Sequence, residues 1–284
     1  MMRIGLILLN LDRDGARLAH MTCELARLGF AFERFSAVQG LAVPDWMRER
    51  FFDAQGHATN TLKPGEIGVY ASHLSIHRAL LERTDLDGFL VMEDDLKLDE
   101  DLPNVLDAIA RLKVSFDVLK LSNPPKAPCL DHGSLCAGRS LVTYARVPNN
   151  LGAYVITKSG AAKTIASRGH VRFAIDEDMR RPWDWELETF GVVPPPVRAN
   201  VFEASSIDAM GDRQLGRESA WQKLSRRRWD GPSGLIRQVR WQIRHLGASG
   251  YAVALLLTLR HSLAKRFKAR FATGGVLMPG KRLV

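Results

Sequence analysis

Apolar residues at the start of the chain are spaced as in an α/β protein. The continuous run Ile4–Leu9 is typical of a strand buried on both faces, and the charged residues behind it favour that interpretation over a signal peptide. Apolar residues at helical spacing follow over 16–28, and residues 30–35 predict a second strand. A strand, a helix and a strand in this order favour a parallel sheet whose ligand lies at the carboxyl ends of its strands.

The same pattern continues to about residue 196. Apolar residues at three- and four-residue spacing predict a helix from Pro64 to Leu81. Further strands are predicted at 89–92, 118–121 and 153–157, a helix at 159–167, a short helix within 44–60 and a long irregular loop at 124–139. The sequence predicts a Rossmann-type α/β domain with a mostly parallel central sheet.

The charge of the chain is unevenly distributed. Forty Lys and Arg against 31 Asp and Glu give a net charge of +9. From Arg213 onward there are 16 basic residues and two acids, so this segment carries +14 and residues 1–212 carry −5. We therefore predict a globular domain over 1–212 and a basic, amphipathic helical extension over 213–284 that is attracted to a polyanion.

The cysteines and the apolar runs bear on location. Three cysteines without a CxxC pair argue against a disulfide framework and favour a reducing cytoplasm. The apolar run Tyr251–Leu259 is far shorter than the roughly 20 residues that a membrane-spanning helix needs.

The strongest chemical signal is Glu93-Asp94-Asp95, directly after the strand at 89–92. Three adjacent carboxylates at the end of a buried strand repel one another, and a hard divalent cation would relieve that repulsion. Magnesium or manganese fits such oxygen ligands and fills its other positions with water and phosphate, which points to a nucleotide diphosphate. A solvated acidic turn is the alternative.

Asn10, Arg13 and Arg17 follow the first strand, at the edge where an open α/β sheet binds its ligand. Their side chains suit a base, ribose or phosphate, and the alternative is a helix start capped by Asp12 or Asp14. The sequence contains neither GxGxxG nor GxxxxGK[ST], so neither a dinucleotide-binding fold nor a P-loop is predicted.

Two other groups of polar residues are candidates for a site. Glu66, His73 and His77 project from one side of the helix that begins at Pro64, where hydrogen bonding to a ligand or plain packing is favoured over zinc binding. The segment Asp176-Glu177-Asp178 lies close to Trp183 and Trp185, a combination that suits a sugar site, with helix capping by Asp176 as the alternative.

These segments together resemble glycosyltransferase family 25. The blocks that carry the resemblance are Leu9-Asn10-Leu11-Asp12-Arg13 with Arg17, Leu62 to His73, Phe89 to Asp95, and more weakly Gly152 to Ala161 with Ile175-Asp176. The Gly-Glu-Ile-Gly and Ser-His pattern, followed about twenty residues later by Glu-Asp-Asp, is the most specific part. Val69 stands where many members have Cys, and His77 where many have an aromatic residue.

The resemblance implies a GT-A-like fold and an inverting transfer of a hexose, with galactose favoured, from a UDP-sugar to a lipopolysaccharide or other surface glycan. Glu93 and Asp95 would hold Mn²⁺ or Mg²⁺, and Asp176 would be the catalytic base. The residues implied to bind the nucleotide sugar are Asn10, Arg13, Arg17, Glu66, Ser72, His73 and Asp94.

The basic extension interleaves arginines with tryptophans and aliphatic residues at helical spacing, as in Arg226-Arg227-Arg228-Trp229 and Leu235 to Arg244. Such a segment suits an anionic membrane surface, and hence a peripheral position on the inner face of the plasma membrane with a lipid-linked or oligosaccharide acceptor. A solvated extension or an oligomer contact remains open. Nucleic-acid binding is disfavoured because no nucleic-acid-binding motif accompanies the charge.

Two other functional hypotheses remain. One is a noncatalytic protein that binds a nucleotide sugar or glycan, which would bind donor without transferring sugar. The other is a membrane or nucleic-acid adaptor that acts through the basic tail, for which residues 1–212 would be dispensable.

Overall fold

A nine-stranded sheet organises the structure, which is a computed structural model. The structure describes residues 1–167, 169, 171–198, 202, 231–266 and 277–284. The strands are β1 Ile4–Asn10, β2 Glu33–Ser36, β3 Gly88–Met92, β4 Lys97–Leu98, β5 Val118–Lys120, β6 Cys129–Cys136, β7 Arg139–Tyr144, β8 Ala153–Thr157, β9 Thr189–Val193, β10 Val197–Arg198 and β11 Leu277–Pro279. The helices are α1 Gly15–Arg27, α2 Asp45–Arg48, α3 Pro64–Glu82, α4 Leu102–Ala110, α5 Lys158–Ala166, α6 Ile175–Met179, α7 Pro182–Trp185 and α8 Gly231–Arg266.

The order of strands in the sheet is β11-β6-β7-β9-β5-β8-β3-β1-β2, and β10 pairs with β4 separately. The parallel pairing predicted for the start of the chain is confirmed, since β1 pairs in parallel with both β2 and β3. The antiparallel strand β8 follows, pairing with both β3 and β5. The predicted α/β class with a large central sheet is confirmed. The strands of this sheet form both parallel and antiparallel pairs.

Helices cover both faces of the sheet because consecutive strand residues point to opposite sides. Ile7 and Leu9 pack with apolar residues of α3 and α5, whereas Leu6 and Leu8 pack with those of α1 and α4. The continuous apolar run at the start of the chain therefore fills two cores at once.

The predicted loop over 124–139 is wrong in most of its length. Residues Cys129–Cys136 form β6, which pairs antiparallel with β7 and shows register shifts on either side of Ser134. Its burial pattern does not alternate regularly, and Gly133 has a φ of +117°. These irregularities remove the period of two by which a strand is recognised in a sequence.

The described part of the predicted extension contacts the globular body. α8 changes direction at Gly247, whose φ of 71° is not helical. Trp241 on α8 is buried and donates a hydrogen bond from Nε1 to the Leu187 carbonyl oxygen (3.1 Å). β11 adds an edge strand beside β6. The motif Arg226-Arg227-Arg228-Trp229 lies outside the described residues.

Among the helices that the structure describes, none combines the length and the apolar character needed to cross a bilayer.

Candidate active site at the carboxyl edge of the sheet

The ends of β1 and β3 bring together the segment that begins at Asn10 and the acidic triplet Glu93-Asp94-Asp95. These strands are parallel neighbours, so Asn10 at the end of β1 lies at the same sheet edge as the turn that follows β3. The Glu93 N–H donates to the Gly152 carbonyl oxygen (2.8 Å), which ties the acidic turn to the start of β8. Parallel pairing therefore places residues more than eighty positions apart in one site.

Asp94 is the fixed member of the acidic triplet. Its Oδ2 accepts from Asn10 Nδ2 (2.7 Å) and its Oδ1 from Arg17 Nη1 (3.0 Å). The residue is only 8% exposed, so these charge-assisted bonds are shielded from water. Asn10, Arg17 and Asp94 thus form one connected cluster, and their role in binding a ligand stays a prediction.

Asp95 is incompletely satisfied. Its Oδ1 is buried without a hydrogen-bond partner, and its Oδ2 lies 3.8 Å from Arg17 Nη1. Burial, and then the charge of Glu93, raise the pKa of Asp95 to about 6. A buried carboxylate in this state costs free energy unless a cation or a proton joins it.

The donor set at this edge fits a magnesium-type ion. Among the described residues, no group of three or more His, Cys, Asp or Glu side chains could enclose a metal. Asp94 has both oxygens occupied, so Glu93 and the unpartnered oxygen of Asp95 are the available ligands. Magnesium is typically held by one or two carboxylates and completes its shell with water and phosphate. The residues present therefore fit an ion of this kind.

A buried chain of hydrogen-bonded side chains runs from α3 toward Glu93. His77 Nδ1 lies 2.9 Å from Thr164 Oγ1, whose hydroxyl donates to the Ala161 carbonyl oxygen. His77 Nε2 and His73 Nδ1 lie 2.9 and 2.8 Å from the hydroxyl of Tyr154. Burial lowers the pKa of His77 to about 3, so this ring is neutral.

The hydrogen-bond directions fix the tautomer of His73. Because the Thr164 proton is already used, His77 Nδ1–H donates to Thr164 and His77 Nε2 accepts from the Tyr154 hydroxyl. The Tyr154 oxygen then accepts from His73 Nδ1–H. The other ring nitrogen of His73, Nε2, is buried, has no hydrogen-bond partner and lies 3.9 Å from Glu93 Oε1.

Replacing Tyr154 with phenylalanine removes the shared hydroxyl from this chain. We expect the free energy of unfolding to fall by about 2–4 kcal/mol, since two buried ring nitrogens lose their partner. Denaturant unfolding measures the change, with Tyr251→Phe, a half-buried tyrosine on α8, as the control. Equally small decreases in the free energy of unfolding in both variants would contradict a stabilising role of this hydrogen-bonded chain of side chains.

Lys120 is a site residue that the sequence reasoning missed. It ends β5, is 1% exposed, and donates from Nζ to the carbonyl oxygens of Pro148 (2.8 Å) and Asn150 (2.6 Å). Burial lowers its pKa to about 7, while the charges of Asp176 and Glu93 act in the opposite direction. The available signal was a lone lysine within the apolar stretch Val118-Leu119-Lys120-Leu121.

Asp176, more than eighty positions after Glu93 in the sequence, is brought to the same region. It lies in the first turn of α6, close enough to Lys120 to influence its charge. The cap position of α6 is Ala174, so the alternative role of Asp176 as a helix cap is wrong.

Three other predicted binding residues have partners away from the acidic turn. Arg13 lies 3.9 Å from Asp14 Oδ1. The Glu66 carboxylate accepts from the Lys63 N–H (2.8 Å) at the start of α3, and Ser72 accepts from the Val38 N–H (2.8 Å). These bonds give Glu66 and Ser72 a structural role, and a binding role for all three stays a prediction.

The spacing of Gly68 and Ser72 in the second block has a packing cause. A Cβ at Gly68 would lie 2.5 Å from the Val38 carbonyl oxygen, so only glycine allows this close approach. Ser72, one turn later, then binds the same stretch of backbone. The block therefore anchors α3, and with it His73, against the segment after β2.

The fold and this site define an α/β protein with an acidic, polar edge at the carboxyl ends of its parallel strands. Residues 4–128 match the family model of glycosyltransferase family 25, described as an LPS biosynthesis protein. This match supports the family that the motifs predict, and it points to a glycosyltransferase.

Comparisons with complete proteins add little. No curated protein sequence matches the chain. The chain is 14% identical to A197 from STIV, covering 67% of this chain and 81% of that one with a TM-score of 0.35. It is 12% identical to the inositol-1-phosphate CTP transferase from T. maritima, covering 76% and 74% with a TM-score of 0.29. Likenesses this distant carry no argument about function.

Proposed function

We propose that the protein is a metal-dependent, inverting glycosyltransferase with a GT-A-like fold. It transfers a hexose, with galactose the first candidate, from a UDP-sugar to a lipopolysaccharide or other surface-glycan acceptor. The observation that carries the proposal is the acidic edge, where one carboxylate oxygen of Asp95 is buried and unpartnered beside Glu93. The family match over residues 4–128 supports the same class of enzyme.

The donor diphosphate would lie against Glu93 and Asp95, which would hold Mn²⁺ or Mg²⁺. When bound, the cation supplies Lewis-acid stabilisation of the negative charge on the leaving diphosphate. Asn10 and Arg17 keep Asp94 in place through two hydrogen bonds, and Arg17 adds positive charge near Asp95. The protein's own contribution is thus a preorganised, partly buried set of charges.

Asp176 would accept the proton of the acceptor hydroxyl. As that oxygen forms its bond to the anomeric carbon, the bond from this carbon to the diphosphate breaks and UDP leaves. A single displacement of this kind inverts the anomeric centre. Asp176 lies close enough to the buried amine of Lys120 for their charges to interact.

Slow release of UDP in the absence of acceptor tests the proposal. Purified protein is incubated with UDP-galactose or UDP-glucose, first with Mn²⁺ and then with excess chelator. We expect UDP release with one donor in Mn²⁺ and its loss in chelator. Binding of donor without release, also when glycan acceptors are added, would favour the noncatalytic alternative.

We also propose that α8 holds the enzyme at an anionic membrane surface. Exposed apolar side chains on this helix include Ile243, Leu255 and Leu256, and Arg240 and Arg244 of the same helix are exposed as well. An apolar surface mixed with arginine suits the headgroup region of an anionic bilayer. This location fits a lipid-linked acceptor.

Replacing Leu256 with glutamate is expected to weaken vesicle binding about tenfold, since burying one leucine contributes about 1.5–3 kcal/mol. Cosedimentation of the full chain with phosphatidylglycerol vesicles measures this, with phosphatidylcholine vesicles as the neutral comparison. Leu81→Glu, an exposed leucine on α3, is the matched control. Binding that is equal for both vesicle types, or unchanged in Leu256→Glu, would contradict the membrane role.

A further inference from the structure

A second concave site lies between α3, α6, α7 and α8. It is a pocket of about 410 Å³, within the range of small-molecule sites. The first turns of α8 contribute Arg237 to its lining, so the pocket is incomplete without the basic C-terminal part of the chain.

The lining carries an excess of positive charge. Four arginines, Arg50, Arg172, Arg181 and Arg237, face two aspartates, Asp178 and Asp184. Asp184 is held between two of these arginines, with Arg181 Nε at 2.9 Å and Arg237 Nη2 at 3.1 Å. One carboxylate is therefore shared by two guanidinium groups, and an additional anion is favoured in the pocket.

Asp178 repels a bound anion less strongly than a fully ionised aspartate would. It accepts a hydrogen bond from the Tyr70 hydroxyl (2.8 Å), and burial raises its pKa to about 7. Near neutral pH this side chain is partly protonated, and in that form it donates a hydrogen bond.

Aromatic side chains complete the lining. Phe173, Trp185 and Tyr70 line the pocket, and the Arg181 guanidinium lies 5.1 Å from the ring centroid of Phe173. Aromatic faces pack against the apolar side of a sugar ring, while arginines bind phosphate or carboxylate through paired N–H groups.

We propose that this pocket binds an anionic sugar residue, a ring that carries a phosphate or a carboxylate. Naming that residue as part of the acceptor rests on the proposed function. Asp176 and Asp178 lie two positions apart on α6, so their side chains do not share one face of that helix. In the proposed enzyme the pocket would hold an acceptor sugar other than the reacting one, and it would select acceptors that are charged at that position.

The full-length protein is titrated with glucose 6-phosphate, glucuronate, glucose and inorganic phosphate. We expect at least one of the two anionic sugars to bind at least tenfold more tightly than glucose and than phosphate. Comparison of the two anionic sugars distinguishes phosphate from carboxylate recognition. Arg237→Gln should weaken that binding about tenfold, whereas Arg240→Gln, an exposed arginine three residues along the same helix, should leave it within twofold.

UDP is the competitor that separates this pocket from the donor site. Displacement of the bound sugar by UDP would place the sugar at the acidic edge and overturn the proposal, as would equal losses in Arg237→Gln and Arg240→Gln. Absence of binding by both anionic sugars would also overturn it. Binding that resists UDP but needs Arg237, in a protein that fails to release UDP from donors, would keep the pocket and reject the proposed transferase.

Discussion

Replacing Asp95 with asparagine is expected to lower kcat/KM for sugar transfer by at least about 10²-fold, because Lewis-acid stabilisation by a bound cation is worth several kcal/mol. The substitution keeps the size of the side chain and removes the charge of the unpartnered carboxylate. Initial rates of UDP release across a range of Mn²⁺ concentrations measure the loss. Partial recovery at high Mn²⁺ is expected, since Glu93 remains.

The same substitution is expected to stabilise the protein when chelator is present. Burial and Glu93 raise the pKa of Asp95 from 3.8 to about 6, so the folded state keeps a proton that the unfolded state has lost. Wild-type stability therefore falls as the pH rises from about 4 to about 6, and the asparagine variant escapes this loss. Above this window the variant should be more stable by about 3 kcal/mol, since each pKa unit corresponds to about 1.4 kcal/mol.

Glu100→Gln is the matched control for both effects, since Glu100 is an exposed carboxylate five residues further along. It should change neither activity nor the pH dependence of unfolding. Near-normal turnover in Asp95→Asn would remove Asp95 from the mechanism, and an unchanged stability would show that its buried carboxylate carries no cost.

Replacing Asp176 with asparagine is expected to lower kcat by about 10²- to 10⁴-fold, the usual contribution of a general base. The dissociation constant of the UDP-sugar should stay within about twofold, because the base acts on the acceptor hydroxyl and not on the donor. Steady-state kinetics with acceptor and a donor titration separate the two effects.

Glu177→Gln tests whether position or charge matters on α6. Glu177 is the adjacent carboxylate of the same helical turn and lies 3.9 Å from Arg180. The Glu177→Gln variant should retain most of the transfer activity. A comparable loss in both variants would assign the effect to the charge of α6, and a weakened donor in Asp176→Asn would place Asp176 in the donor site.

The core of the candidate site could be predicted because it follows local rules. A buried apolar strand that is followed by Glu93-Asp94-Asp95 can be recognised in the sequence. Parallel pairing, which is expected in an α/β sheet, places the carboxyl end of that strand beside the carboxyl end of Ile4–Asn10. The contact of Asn10 and Arg17 with Asp94 then needs only correct parallel pairing.

The buried chain from α3 could not be predicted in the same way. His73 and His77 meet Tyr154 across 81 and 77 residues, through pairing of β3 with the antiparallel strand β8. Lys120 likewise depends on the positions of Pro148 and Asn150. Spacing along one helix indicates which residues share a face, but not which strand lies opposite.

The C-terminal part of the chain shows a second limit of sequence patterns. Charge and amphipathic spacing predict a basic helical extension, yet they do not reveal that Trp241 donates a hydrogen bond to the Leu187 carbonyl oxygen or that β11 joins the sheet beside β6. Both contacts join segments distant in sequence. Irregular strands such as β6 lack the alternation that would have predicted a partner for β11.

The most direct test of the central claim is a calorimetric titration of the full-length protein with UDP-galactose and UDP-glucose, first in Mn²⁺ and then in excess chelator. The account predicts that at least one donor binds in Mn²⁺, and that chelator or Asp95→Asn weakens this binding at least about tenfold, one coordinating carboxylate being worth more than 1.4 kcal/mol. Absence of binding by both donors under both conditions, or binding indifferent to metal and to Asp95, would contradict it.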